Sequence, residues 1–206
     1  MNITNYSTLK TAVMEWLHRS DLNDRVADFI GLGEAQLNRM LRVRDMETSA
    51  TITVSTSNSY ASIPTGFLEA VSLVDDFGEP LVPLTPTQLA GQAYGAEAGR
   101  PMYYRLSNRI DFERRGDQAY LYTMRYYKRL DIETDGTNAV LTSHPDIYLY
   151  AALLAAEPYV VNDQRMALWA TMLERLISDA NWRGTRNINT LKTDIGAIGR
   201  SNIMNG

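Results

Sequence analysis

Along this chain the spacing of apolar residues changes from about 3.6 to 2 and back again, which calls for helices at both ends and strands between them. Leu9, Val13, Trp16 and Leu17 form a helical stripe behind the candidate cap Ser7. A second helix is expected from about Asn23 to Val43, with Val26, Phe29, Ile30, Gly33, Leu37, Met40 and Leu41 facing one way. Then Ala50, Ile52 and Val54 alternate with Thr51, Thr53 and Ser55, the period of a strand. Further strands are expected at Phe67–Val74, Leu81–Leu84, Met102–Leu106, Arg109–Phe112 and Tyr120–Leu130. A turn at Asp75–Gly78, a short helix from Thr85-Pro86 and a flexible loop over Gly91–Gly99 separate them. In the last strand Tyr120, Tyr122, Met124 and Tyr126 share one face, which reads as sheet core.

Helical spacing returns in IYLYAALLAAEPYVVNDQRMALWATMLERLISDANWRG. Ile147, Tyr150, Ala151, Leu154 and Ala155 mark one helix, and Pro158 interrupts it. Asn162 or Asp163 would cap the next helix. That helix carries Met166, Trp169, Met172, Leu173, Leu176, Ile177 and Ala180, and Gly184 is expected to end it. The fold class is therefore α+β: an antiparallel bundle of four main helices with a β-rich domain inserted between helices 2 and 3. The expected divisions are 1–47 with 136–184 for the bundle, 48–135 for the insertion, and 185–206 for an extended C-terminal arm.

The four residues SHPD, Ser143 to Asp146, combine a hydroxyl, an imidazole and a carboxylate. Neighbours in one turn do not line up as nucleophile, base and orienting acid. They do suit a helix start, with Ser143 as N-cap, Asp146 reaching back to the cap amide and Pro145 in the first turn. Such a cap contributes about 1 kcal/mol.

Other chemistry is absent. The chain has no cysteine and two histidines, which leaves no disulfide, zinc finger or thiol site. G-x-G-x-x-G fails at Gln36, so Gly31 and Gly33 read as sites of close helix packing. Asp131-x-Glu133-x-Asp135-Gly136 begins like a calcium loop but has Thr142 where a bidentate Glu is required. No cofactor, metal or catalytic residue is assigned. The longest apolar run, Ile147–Ala156, is too short for a membrane span of about 20 residues. The net charge of −4 does not suit a protein that grips DNA phosphates. Arg39, Arg42 and Arg44 are the basic cluster of the body; they could line a nucleic-acid path, but with Asp45 and Glu47 beside them they read rather as salt-bridge partners.

The C-terminal segment TRNINTLKTDIGAIGRSNIMNG is polar, with isolated Ile188, Leu191, Ile195, Ile198 and Ile203. Arg186, Lys192 and Arg200 outnumber its single Asp194. Such an arm cannot bury a core of its own; its spaced aliphatics point to docking on something else, and a disordered terminus is the other reading.

SHPDIYLYAALLAAEPYVVND and the Trp169 helix resemble the C-terminal hairpin of head-to-tail adaptor (connector, head-completion) proteins of tailed bacteriophages. The residues that carry the resemblance are Pro145, Asp146, Tyr148, Leu149 and Tyr150, then Ala156, Pro158 and Tyr159. DFIGLGEAQLNRMLRVRDME, IPTGFLEAVSL and Tyr126-Tyr127 are similar to that family too, in its order, over roughly residues 5 to 184. The resemblance implies a structural virion protein and no enzyme. It would form a ring, typically of twelve subunits, at the head-tail interface of the portal vertex after assembly in the host cytoplasm. Its implied partners are the portal protein, tail (nozzle or tail-tube) proteins and further copies of itself. Double-stranded DNA would pass through the channel without specific binding, and no membrane is involved. The candidate portal-docking residues are Arg186, Ile188, Leu191, Lys192, Ile195, Ile198 and Arg200. Two other readings stay open: another tail-completion or nozzle component, and a small enzyme or ligand-binding domain with its site among the strand tyrosines.

Overall fold

The structure is a computed structural model that describes residues 2–160 and 165–201, with the backbone alone for residue 20 and residues 184–201. Its contacts gather into two compact units, Met1–Met46 with Leu130–Gly206, and Glu47–Arg129. Among the described residues there are eight α-helices and two sheets, an α+β protein. The helices are α1 (Tyr6–Leu17), α2 (Val26–Met40), α3 (Pro86–Ala93), α4 (Ile132–Asp135), α5 (Ala139–Ser143), α6 (Pro145–Ala155), α7 (Glu157–Val160) and α8 (Met166–Ser201). Only α3 belongs to the second unit.

In the first unit α6 is the central element, packed against α1, α2 and α8. Its sequence is apolar almost all round, and Ile147, Tyr148, Leu149, Ala151, Ala152 and Leu153 are all buried. The single-face stripe expected for this helix is too narrow, because three neighbours cover it from different sides. The α2–α6 crossing is close enough that a Cβ on Gly33 would lie 2.7 Å from the carbonyl carbon of Ala151. Close packing thus explains Gly33, but a Cβ on Gly31 would meet nothing within 4 Å.

Several helix ends differ from the sequence expectation. Asn5, not Ser7, caps α1: its side chain accepts from the Thr8 amide at 2.9 Å while the Thr8 hydroxyl accepts from the Asn5 amide. The second helix is shorter than Asn23–Val43, with 3-10 turns at Ser20–Arg25 and Arg44–Met46 flanking α2. Met40 and Met172, expected on buried stripes, face outward. The candidate caps Asn162 and Asp163 lie outside the described residues. Gly184 does not end the last helix, which continues to Ser201. A glycine in a helix interior costs only about 1 kcal/mol relative to alanine, and no proline follows to enforce a stop.

The second unit holds β1 (Glu47–Val54), β2 (Tyr60–Ala61), β3 (Phe67–Asp75), β4 (Val82–Pro83), β5 (Tyr103–Leu106), β6 (Ile110–Phe112) and β7 (Tyr120–Lys128). One sheet runs β1-β7-β3 and is antiparallel throughout. The other runs β2-β6-β5-β4, with β4 and β5 parallel. The inward residues Ile52, Val54, Leu73, Tyr122, Met124 and Tyr126 of the first sheet share a core with Tyr104, Ile110 and Phe112 of the second. Gly91, expected in a loop, lies inside α3, because Thr85 and Gln88 form a capping box that starts the helix just upstream.

Candidate interaction surfaces

The first unit is fastened by a polar seam on the buried side of α2. Glu34 and Asn38 stand one turn apart among Ile30, Gly33, Leu37 and Leu41. Asn38 accepts from the Leu130 amide at 2.8 Å and donates to the Leu130 carbonyl at 3.1 Å. Glu34 accepts from the Ile132 amide at 2.9 Å and from the Tyr148 hydroxyl at 2.8 Å. The stretch from Leu130 is thereby held in the helical unit, so the boundary falls at 129/130 and not at the expected 135/136. Burial, with the nearby Glu34 charge second, pushes the Tyr148 phenol well above its usual range, so it stays protonated and donates. The signal for this seam was readable: two polar residues four apart on an apolar helix face.

SHPD is not built as expected. Ser143 is the last residue of α5, and His144, with no side-chain cap bond, occupies the N-cap of α6. Pro145 is in the first turn, while the Asp146 carboxylate accepts from the next amide, Ile147, at 3.0 Å. The capping side chain here is Asn138, which accepts from the Leu141 amide at 2.8 Å and donates to the Tyr148 hydroxyl at 2.7 Å. Once Asn138 starts a short helix, Ser143 is consumed as its last turn and cannot cap the next one. The calcium-like stretch is also a helix start: Asp131 caps α4 by accepting from the Thr134 amide. Among the described residues no group of three or more His, Cys, Asp or Glu is placed to hold a metal.

In the second unit three strand tyrosines pack inward, while Tyr60 of β2 is exposed. Tyr104, Tyr122 and Tyr126 are buried, and the Tyr122 hydroxyl donates to the Pro101 carbonyl at 2.8 Å. Burial raises the phenols of Tyr104 and Tyr122, so neither serves as a base near neutral pH. The buried Glu113 carboxylate accepts from the amides of Met102 and Tyr103. Buried Asp75 accepts from the amides of Phe77 and Glu79, both at 2.9 Å, and is paired with Arg100. That guanidinium also reaches Asp76 at 3.1 Å and lies 4.7 Å over the Phe77 ring.

Of the basic cluster, Arg42 donates to the carbonyls of Asn38 and Leu41, and its amide donates to Asn181 of α8. Arg39 and Arg44 are exposed and form no ion pair among the described residues, contrary to the salt-bridge expectation. Arg186, Ile188, Leu191, Lys192, Ile195, Ile198 and Arg200 all fall on the helical backbone of α8, not on an extended arm. Their aliphatic spacing of three, four and three residues is that of one helix face, a signal the extended reading passed over.

The family comparison gives the class of protein: a phage adaptor-type protein, a component of the virion. The model of the SU10 adaptor protein family matches residues 4–193, nearly the whole chain, and the protein belongs to that family. No curated protein matches the sequence. Among the described residues no helix is long and apolar enough to cross a membrane.

Proposed function

We propose that the protein is a non-catalytic head-to-tail adaptor whose copies form a twelve-membered ring beneath the portal. The ring joins capsid to tail and extends the DNA channel. Membership of the SU10 adaptor family is the observation that carries this reading. In it, the four long helices α1, α2, α6 and α8 act as an antiparallel bundle carrying the β-rich unit as an insertion, and the bundles make the ring body. The net charge of −4 favours a channel along which DNA slides, since phosphate contacts would retain it.

The segment 185–206 docks on the portal in this reading, through Ile188, Leu191, Ile195 and Ile198 with Arg186, Lys192 and Arg200 beside them. As a helix its residues up to 201 reach about 25 Å at 1.5 Å per residue. Each isoleucine fully buried contributes roughly 1.5–3 kcal/mol, and twelve-fold repetition multiplies weak contacts through effective concentration. The test is co-sedimentation with purified portal rings of the same phage, using the full chain and a chain ending at Gly184. The full chain should bind, more weakly at high salt, and the truncated chain should fold but bind poorly. Equal binding by the truncated chain overturns the docking role, and no binding by the full chain overturns the adaptor reading.

A further inference from the structure

Two surface features remain without a role inside the chain. The first is the turn after β3. Phe77 is 77% exposed there, whereas Phe29 and Phe112 are buried. The turn is nevertheless held firmly: Asp75 accepts two of its amides, the Asp75 amide donates to the Glu79 carbonyl at 3.0 Å, and Gly78 supplies the left-handed corner at φ +87°. Arg100 braces the ring from one side, and its buried Nε finds no hydrogen-bond partner. The buried carboxylate closes the turn and, through Arg100, ties it to the segment before β5, and the same bonds hold the exposed aromatic in one position. Val82 and Met102, joined by an amide-to-carbonyl bond of 3.0 Å, are each 49% exposed. Asp76 and Glu79 are exposed in the same turn, and Arg100 offsets only part of the charge of Asp75, Asp76 and Glu79.

The second feature is the outer face of α2. Leu32, 60% exposed, lies on it and Met40, 42% exposed, on one flank, while a Cβ on Gly31, on the other flank, would stand in open space. Arg39 on this face and Arg44 just beyond it carry charge that no acidic group of the described residues pairs. At the other end Asp28 is paired with Arg25, and exposed Asp45 follows Arg44.

We propose that the acidic Phe77 turn of one copy docks on the basic outer face of α2 of the next copy. The two surfaces match in chemistry: an aromatic and apolar projection with acidic neighbours against an apolar helix face with unpaired arginines. They are different surfaces, so the contact is heterologous and repeats head to tail, as closure into a ring requires. A rigid exposed aromatic is also the residue type that anchors interfaces, because little freedom is left to lose on docking. The inference rests on the ring-forming adaptor reading and supplies the contact between its subunits.

The chain has no cysteine, so introduced thiols report one contact each. Pro80→Cys and Gly31→Cys leave the aromatic, apolar and charged groups in place. The two single variants are mixed, both on purified portal rings and free at high concentration, and treated with a short bismaleimide. A dimer band is expected from the mixture at roughly tenfold the level given by either variant alone. In parallel, Glu79→Lys, which spares the Arg100–Asp76 pair, should weaken assembly roughly tenfold while leaving the melting curve unchanged. Adding Arg39→Glu and Arg44→Glu to the same chain should restore it. Absence of the mixed dimer in both settings overturns the proposal, and so does equal cross-linking of one variant to itself. Failure of the unmodified protein to bind portal rings would instead overturn the adaptor reading, and the free-protein arm would still decide this contact.

Discussion

Gly31 and Gly33 are two residues apart on α2, and replacing each by alanine should have opposite effects. At Gly33 the new Cβ would stand 2.7 Å from the Ala151 carbonyl carbon, 2.8 Å from its oxygen and 2.9 Å from the Ala152 nitrogen. Non-bonded carbons rest at about 3.5–4.0 Å, so the approach is short by roughly 0.8 Å. The obstructing atoms are helix backbone and cannot rotate aside, so α2 and α6 must separate. Overpacking of this kind costs about 1–3 kcal/mol, and alanine returns about 1 kcal/mol of helix propensity. A backbone obstacle belongs at the upper end, which leaves a net loss of about 2 kcal/mol. At Gly31 nothing lies within 4 Å, so only the propensity gain of about 0.5–1 kcal/mol remains. Urea unfolding followed by tryptophan fluorescence is the suitable assay, since Trp16, Trp169 and Trp182 all lie in the helical unit. A Gly33→Ala protein as stable as the wild type would show that the two helices do not touch backbone to backbone.

Further outcomes follow from the polar contacts. Asn38→Leu strands the amide and carbonyl of Leu130 in a buried site, and should cost about 1–3 kcal/mol for each group left unpaired; denaturant titration of the variant measures it. Asn138→Ala should lose at least the ~1 kcal/mol of a helix cap, while Ser143→Ala and His144→Ala change the melting temperature little; a larger effect at Ser143 would contradict the assigned cap. Alkaline pH should weaken both units. The Tyr122 and Tyr148 phenols have raised pKa values in the fold and ordinary ones near 10 when unfolded. Their contribution is complete below pH 10 and falls above it by about 1.4 kcal/mol per pH unit for each tyrosine, as the unfolded chain gives up protons first. Unfolding curves between pH 9 and 11 should therefore be flat at first and then steepen, and a flat profile throughout would count against the burial of both groups.

The order of helices and strands was legible in the sequence because apolar periodicity is a local property that every residue in an element repeats. Val26, Phe29, Ile30 and Leu37 on α2, or Tyr122, Met124 and Tyr126 on β7, are buried as their spacing requires. The cap at Thr85 and the notch at Gly33 follow from residue type and position in the same way. Which polar side chain meets which distant backbone group was not legible. Asn38 with Leu130, Glu34 with Tyr148, and Asp75 with Arg100 are pairs separated by 25 to 114 residues, and no local pattern encodes them. Ser143 and Asn138 are both good caps by type, and in the fold it is Asn138 whose side chain is also tied, through the Tyr148 hydroxyl, to Glu34 of α2. The outward turn of Met40 and the exposure of Phe77 are likewise set by what the rest of the chain leaves uncovered. Sequence fixes the local conformational preference of each segment; tertiary structure decides the partners, because a hydrogen bond or a buried contact needs two groups that only folding brings together.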